Sequence, residues 1–260
     1  MKTNYHTHTY RCNHAAGNEE DYVQAAIKNG YHVLGFSDHT PWPYRNKDFI
    51  PNIRMRMEEF EDYLNSVREM KEKYKDQIQI FCGVEAESFP EYYDWLAEQL
   101  NSGKLDYAIL GNHYPYSEEL GKSQYFGNCI HTKKTLDLYL ECMLKGINSG
   151  LFKVIAHPDL FCRTDGSFDE CERIISEKIC EAAKEKNCIL ELNISGFAMK
   201  YRNEGNPSVG FWKVAAEKGN KVILGIDAHR PSALMTDQFR NQGLKLAEEL
   251  NLNLIDHLEI

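Results

Sequence analysis

Seven of the ten histidines in this 260-residue chain stand in short clusters that could bind metal. They are His6-Thr7-His8 with His14 close behind, Asp38-His39, Asn112-His113, His157, and Asp227-Ala228-His229, with Glu85 as an acidic companion. Neutral imidazole suits zinc, iron or manganese, and a carboxylate can join two neighbouring ions. No pair is strong evidence alone. Two residues two positions apart share a strand face by ordinary geometry, so H-x-H and D-x-H arise often by chance. The force lies in their placement, because each cluster stands at, or just beyond, the end of an apolar run.

Those runs are the predicted strands, at 3–8, 32–37, 78–84, 106–111, 153–157, 188–194 and 221–226. Most are continuously apolar, the pattern of parallel strands covered on both faces. Amphipathic stretches alternate with them. Asn18 is a plausible N-cap before Glu19, Glu20 and Asp21, and Gly30 stops that helix. A long helix is expected over 54–75, with Phe60, Tyr63, Leu64, Val67 and Met70 as its apolar stripe. Others are expected over 91–100, 134–148, 169–186, 208–218 and 231–250. No linker or composition break interrupts the series, so residues 1–260 are expected to be one domain of seven βα units. A doubly wound sheet would not bring ligands from six strands together. A barrel gathers such residues at the C-terminal ends of its strands, here with one unit fewer than the usual eight.

Composition narrows the function classes. Hydrophobic residues make up 42% and charged residues 27%, as in ordinary globular proteins. The net charge of −9 argues against gripping nucleic acid through its phosphates. Eight cysteines contain no C-x-x-C pair, and several, such as Cys82 and Cys188, fall in apolar runs. They read as reduced, buried thiols. The N-terminus lacks a signal-peptide pattern, and no window is long enough to span a membrane. A cytoplasmic location is expected.

As a set, HTH at 6–8, His14, SDH ending at His39, GVEAE around Glu85, NH ending at His113, AHPD from His157 and D-x-H at 227–229 resemble the PHP (polymerase and histidinol phosphatase) family. The resemblance implies a distorted (β/α)7 TIM-like barrel whose active site holds two or three metal ions at the C-terminal ends of the strands. Carried over residue by residue, it implies three sites. His6, His8, Glu85 and Asp227 would hold the first ion. Glu85, bridging, with His113 and His157 would hold the second. His14, His39 and His229 would hold the third. The ions would be zinc, iron or manganese. Within the family, HTPWPY, HPDLFCR and ELNISG–YRNEGNP most resemble the stand-alone L-histidinol-phosphate phosphatases of histidine biosynthesis.

The expected reaction is hydrolysis of a small phosphate monoester, L-histidinol phosphate, by a hydroxide bridging the first two ions at Glu85. Asp227 or His229 is the candidate acid for the leaving alkoxide. Arg163 and Arg202, after the fifth and sixth strands, are candidates for the phosphate, with Lys200 and Arg11 behind them. Glu87 and Asp159 are candidates for the substrate's cationic groups. The sixth strand itself offers no ligand. Three rival readings stay open: a phosphoesterase of the same fold acting on nucleotides, nucleic-acid ends or phosphotyrosine; a metal-binding protein without catalysis; and an amide hydrolase. Closed four-ligand sets, often of cysteine, are usual for purely structural zinc, and the pattern here differs. Oligomeric state is not legible in the sequence.

Overall fold

Asn18 caps the first helix in both directions. Its side chain accepts from Asp21 N at 3.1 Å, and the Asp21 carboxylate accepts from Asn18 N at 2.9 Å. Helix α1 (Glu19–Lys28) then carries three acidic residues at its positive end. The computed structural model describes residues 1–121, 124–128, 131–162, 167–198 and 207–260.

Eight strands form one all-parallel sheet in chain order: β1 (Thr3–Asn4), β2 (Val33–His39), β3 (Gln79–Ala86), β4 (Tyr107–Leu110), β5 (Val154–Ile155), β6 (Ile189–Asn193), β7 (Lys221–Gly225) and β8 (Asn253–Leu254). Between them run α2 (Phe60–Lys73), α3 (Tyr93–Asn101), α4 (Lys133–Ser149), α5 (Glu170–Glu185), α6 (Val209–Lys218) and α7 (Gln238–Glu249). The sheet curls into the expected distorted (β/α)7 barrel. The longest ladder, β2 on β3, runs to His39 opposite Glu85 and so fixes two candidate ligands side by side.

Closure is split between the two ends of the barrel. At the ligand end, Thr7 bridges Ala228 in parallel, with His8 N donating to Ala228 O at 2.9 Å and Ala228 N to His6 O at 3.0 Å. At the other end β8 pairs with β7, and Thr3 Oγ1 donates to Asp256 O at 2.7 Å. This eighth strand was not expected from the sequence. Its two residues are too few to show a pattern, and the pairing of β7 makes them a strand.

Apolar residues fill two layers. Tyr5, Val33, Tyr107, Ile109, Val154, Ala156, Ile223 and Leu258 pack inside the barrel. The outer core includes the stripe of α2, with Phe60, Tyr63, Leu64, Val67 and Met70 all buried. Each large side chain so buried contributes about 1.5–3 kcal/mol. The helix expected from residue 54 begins only at Phe60, after a 3-10 turn at Met57–Glu59, and Arg54 lies buried in the loop before it. The helix expected from residue 231 is likewise divided, into a 3-10 turn Pro231–Met235 and α7. Cys12, Cys82, Cys142, Cys162, Cys180 and Cys188 are buried free thiols, as read; Cys129 lies outside the described residues.

Candidate metal centre

Glu85 ends β3 with its two oxygens aimed at different pairs of imidazoles. Oε2 lies 3.4 Å from both His6 Nε2 and His8 Nε2. Oε1 lies 3.1 Å from His157 Nε2 and 3.6 Å from His113 Nε2. Asp227 Oδ1 completes the first group, 3.4 Å from His6 Nε2 and 3.2 Å from His8 Nε2. Those two nitrogens are 3.0 Å apart. Four donors placed tetrahedrally at 2.0–2.2 Å from one ion stand about 3.4 Å from each other. The first group has that spacing. In the second, His113 Nε2 and His157 Nε2 are 3.2 Å apart.

His14, His39 and His229 form a third group toward the mouth, with His14 Nε2 3.0 Å from His229 Nε2. His39 also turns Nδ1 to within 3.1 Å of Glu85 Oε2, where it is buried with no hydrogen-bond partner. A buried, unpartnered nitrogen beside a carboxylate oxygen is a pair of donors that one cation could satisfy. The structure therefore brings together all nine residues singled out as ligands, and they fit divalent metal.

The backbone contributes as well. His157 and Asp227 take positive φ, +30° and +54°, a region that non-glycine residues seldom occupy and that turns both side chains inward. A Cβ on Gly111 would fall 2.3 Å from Glu85 Oε1, and one on Gly225 1.8 Å from Glu191 Oε1. Glycine at these strand ends lets the carboxylates lie flat on the backbone.

Protons and charges sort themselves accordingly. Burial pushes Glu85 up, yet His113, His6 and His39 outweigh it and hold the carboxyl well below its usual range. Asp227 is also pushed up by burial and brought well below by His6, His8 and His229. Burial and the neighbouring His8 bring His229 down to about 4, and burial chiefly lowers His39 and His14. The site thus presents carboxylates with His14, His39 and His229 as neutral imidazoles, while the same carboxylates raise His6, His8 and His113, which must give up protons to bind metal.

A further layer orients the ligands. His6 Nδ1 lies 2.8 Å from Glu191 Oε1, while Glu191 Oε2 accepts from His157 N at 3.2 Å. β6 offers no ligand, but it supplies this orienting carboxylate, which the sequence reading passed over. The signal was a lone glutamate inside the apolar run CILELNI. Asp38 lies 3.5 Å from His8 Nδ1 and accepts from Thr9 N at 3.1 Å. Glu87 is not available to substrate. It is buried, takes His113 Nδ1 at 2.8 Å and accepts from His113 N, also at 2.8 Å. Asp159 is buried too, accepting from Ser208 N at 2.7 Å and Trp212 Nε1 at 3.1 Å, where it anchors the start of α6. Arg11 is buried against Glu19 and Asp62 and does not reach the site. Arg163, Lys200 and Arg202 lie outside the described residues.

Six of the nine candidate ligands, His14, His39, Glu85, His113, Asp227 and His229, line a cavity of about 280 Å³ with Ile53, Tyr114 and Tyr125. A larger cavity, about 760 Å³, lies among Trp42, Tyr44, Phe49 and Trp95 and contains none of the ligand residues. Size does not decide here; the convergent donors do. No helix among the described residues is long and apolar enough to cross a membrane.

Comparison with known proteins agrees with this geometry. Residues 4–195 match the PHP domain model, a span that stops before Asp227 and His229. The "Histidinol-phosphatase" of Bacillus subtilis (strain 168) is 24% identical over 255 residues, covering 88% of this chain and 94% of that protein. A Deinococcus radiodurans protein named "Probable histidinol-phosphatase" is 27% identical over 229 residues, covering 87% and 85%. The crystal structure of histidinol phosphate phosphatase from Lactococcus lactis, complexed with zinc, L-histidinol and phosphate, superposes with a TM-score of 0.73. Its identity to this chain is 18%, over all of this chain and 99% of that one.

Proposed function

The chain belongs to the PHP domain family, and on that premise we propose that it is a metal-dependent phosphatase hydrolysing L-histidinol phosphate to L-histidinol and phosphate. The observation that carries the reading is Glu85, whose two oxygens each face a separate pair of imidazoles. A carboxylate so divided serves neighbouring ions, the arrangement of hydrolytic sites that displace at phosphorus. Support for the substrate comes from relatives named histidinol-phosphatase that align along most of both chains, and from the ligands of the Lactococcus lactis protein.

His6, His8, Glu85 and Asp227 would hold one ion, Glu85, His113 and His157 a second, and His14, His39 and His229 a third. Zinc, iron or manganese would fit these donors. Bound there, the metals supply positive charge to phosphoryl oxygens and make a water acidic enough to act as nucleophile. The protein's own residues do the rest. Asp227 and His229 both rest unprotonated near neutral pH. Neither has a proton ready to give, so the acid must first take one from the attacking water. Asp227, inside the first ligand group, is assigned that transfer to the leaving alkoxide, with His229 at the mouth as its neighbour. Arg163 and Arg202 are assigned to the phosphate on sequence position alone. The partner is a small phosphate monoester, and a cytoplasmic enzyme of histidine biosynthesis is the setting proposed.

The test is kcat/KM for L-histidinol phosphate beside p-nitrophenyl phosphate, with metal-reconstituted protein. A preference of several orders of magnitude for the first supports the assignment, because specific contacts to the amine and imidazole would be needed. Comparable weak rates on both would overturn the substrate and return the question to nucleotides, nucleic-acid ends or phosphotyrosine.

A further inference from the structure

Arg54 has no exposed side-chain surface, yet it lies in a loop and contacts no candidate metal ligand directly. Its guanidinium reaches three ways. Nε donates to Glu118 Oε1 at 2.9 Å and Nη2 donates to the same oxygen, Nη2 also reaches Glu87 Oε1 at 3.4 Å, and Nη1 donates to Thr40 O at 3.4 Å. Its own carbonyl accepts from Asn13 Nδ2 at 3.2 Å.

Three of these partners, Glu87, Thr40 and Asn13, adjoin a candidate ligand. Glu87 holds the His113 ring through Nδ1 and the His113 backbone through N. Thr40 follows His39, and both its N and its Oγ1 donate to Glu85 O, at 2.9 and 2.8 Å. Asn13 precedes His14. A buried carboxylate such as Glu87 keeps one position only if its charge is compensated. A planar guanidinium does that while also fixing direction, which an ammonium cannot.

We infer that Arg54 is a positioning residue for the metal centre, acting through Glu87 on His113 and so on the ion shared by Glu85, His113 and His157. The inference rests on the metal-dependent reading above. It makes the effect selective. His6 Nδ1 is held by Glu191 and His8 Nδ1 lies 3.5 Å from Asp38, and Arg54 touches neither carboxylate. Orienting partners of metal ligands typically change affinity by about 10–100-fold, and Arg54 should act within that range on one binding step only.

The experiment is stepwise zinc binding by competition with a chromophoric chelator, together with zinc per chain, on the full chain and its variants. Arg54→Met should weaken one step by about 10–100-fold and leave the tightest step unchanged. Arg54→Lys keeps charge and stem, guards against misfolding of the first variant, and should show a smaller loss of the same step. Combining Arg54→Met with Glu87→Gln should cost little more than Glu87→Gln alone. Arg173→Met, which removes an exposed ion pair, should change nothing. Unchanged zinc affinity in Arg54→Lys and Arg54→Met would overturn the inference. So would equal weakening of every step with a matching fall in the melting temperature of chelated protein, the signature of a purely structural role. A wild-type chain that binds no zinc would defeat the functional reading itself, and the inference with it, before any variant is made.

Discussion

His6 and Glu191 meet inside the barrel, Nδ1 to Oε1 at 2.8 Å, with both side chains almost wholly buried. The contact fixes the ring so that Nε2 faces Glu85 and Asp227. Glu191 also accepts at Oε2 from His157 N and from Asn193 Nδ2, at 3.2 and 3.1 Å. Glu191→Gln offers one carbonyl oxygen where two carboxylate oxygens are used, so its amide must meet a donor on one side. Zinc affinity at the first position should fall by about 10–100-fold in this variant. Chelator competition would measure it, and an unchanged constant would remove Glu191 from the centre.

Glu85 is the residue on which the proposed two-ion arrangement turns. Glu85→Ala should lose both ions that share it, leaving at most the one held by His14, His39 and His229. Activity should drop by about a thousandfold or more, since removal of a single preorganised charge-stabilising group already costs about 10²–10³. Metal analysis beside a phosphatase assay checks this. A metal-replete, active Glu85→Ala protein would sink the assignment.

The convergence of the candidate ligands was legible because strand ends are legible. Continuous apolar runs such as ILGNH and ILGID mark buried parallel strands, and the polar residue that ends each one has a single destination in a barrel. What failed to show depends on contacts made after folding. Glu87 and Glu191 look alike in sequence, acidic residues near strand ends, and only packing reveals that they grip His113 and His6. Arg54 continued a helical charge pattern, yet its burial among Glu87, Glu118 and Thr40 overrides local propensity. β8 is two residues long and owes its existence to β7.

Metal binding should release protons. Burial disfavours charge on His8, but Asp227, Asp38 and Glu85 outweigh it and raise His8 to about 9. Burial likewise opposes charge on His113, and Glu87 with Glu85 raises it to about 8. Both values exceed the ordinary one, so protonation stabilises the chelated fold fully below about pH 6.5 and fades as pH rises through 8 to 9. Zinc must displace these protons, so its affinity should climb by about one decade per pH unit per proton between pH 7 and 8. Calorimetry at pH 7 in buffers of different ionisation heat would count them. A zinc-binding heat independent of the buffer would contradict the arrangement.

Asp159, two residues past His157, gives a pH dependence of its own. Burial raises its carboxyl to about 6, against the lowering effect of hydrogen bonds from Ser208 N and Trp212 Nε1. An acid raised in the folded state binds its proton more tightly there than in the unfolded chain. Its cost is absent below pH 3.8, grows as pH rises, and is complete above about pH 6. In chelated protein, the stability of wild type relative to Asp159→Asn should therefore fall by about 2 kcal/mol between pH 4 and pH 7. Taking the difference cancels the other titrating groups, and any fixed penalty for the asparagine amide shifts the curve without changing its slope. Urea melts at four or five pH values would trace it. Parallel stability curves for the two proteins would show that Asp159 is charged in the fold at no cost, and that the donors of Ser208 and Trp212 fully offset its burial.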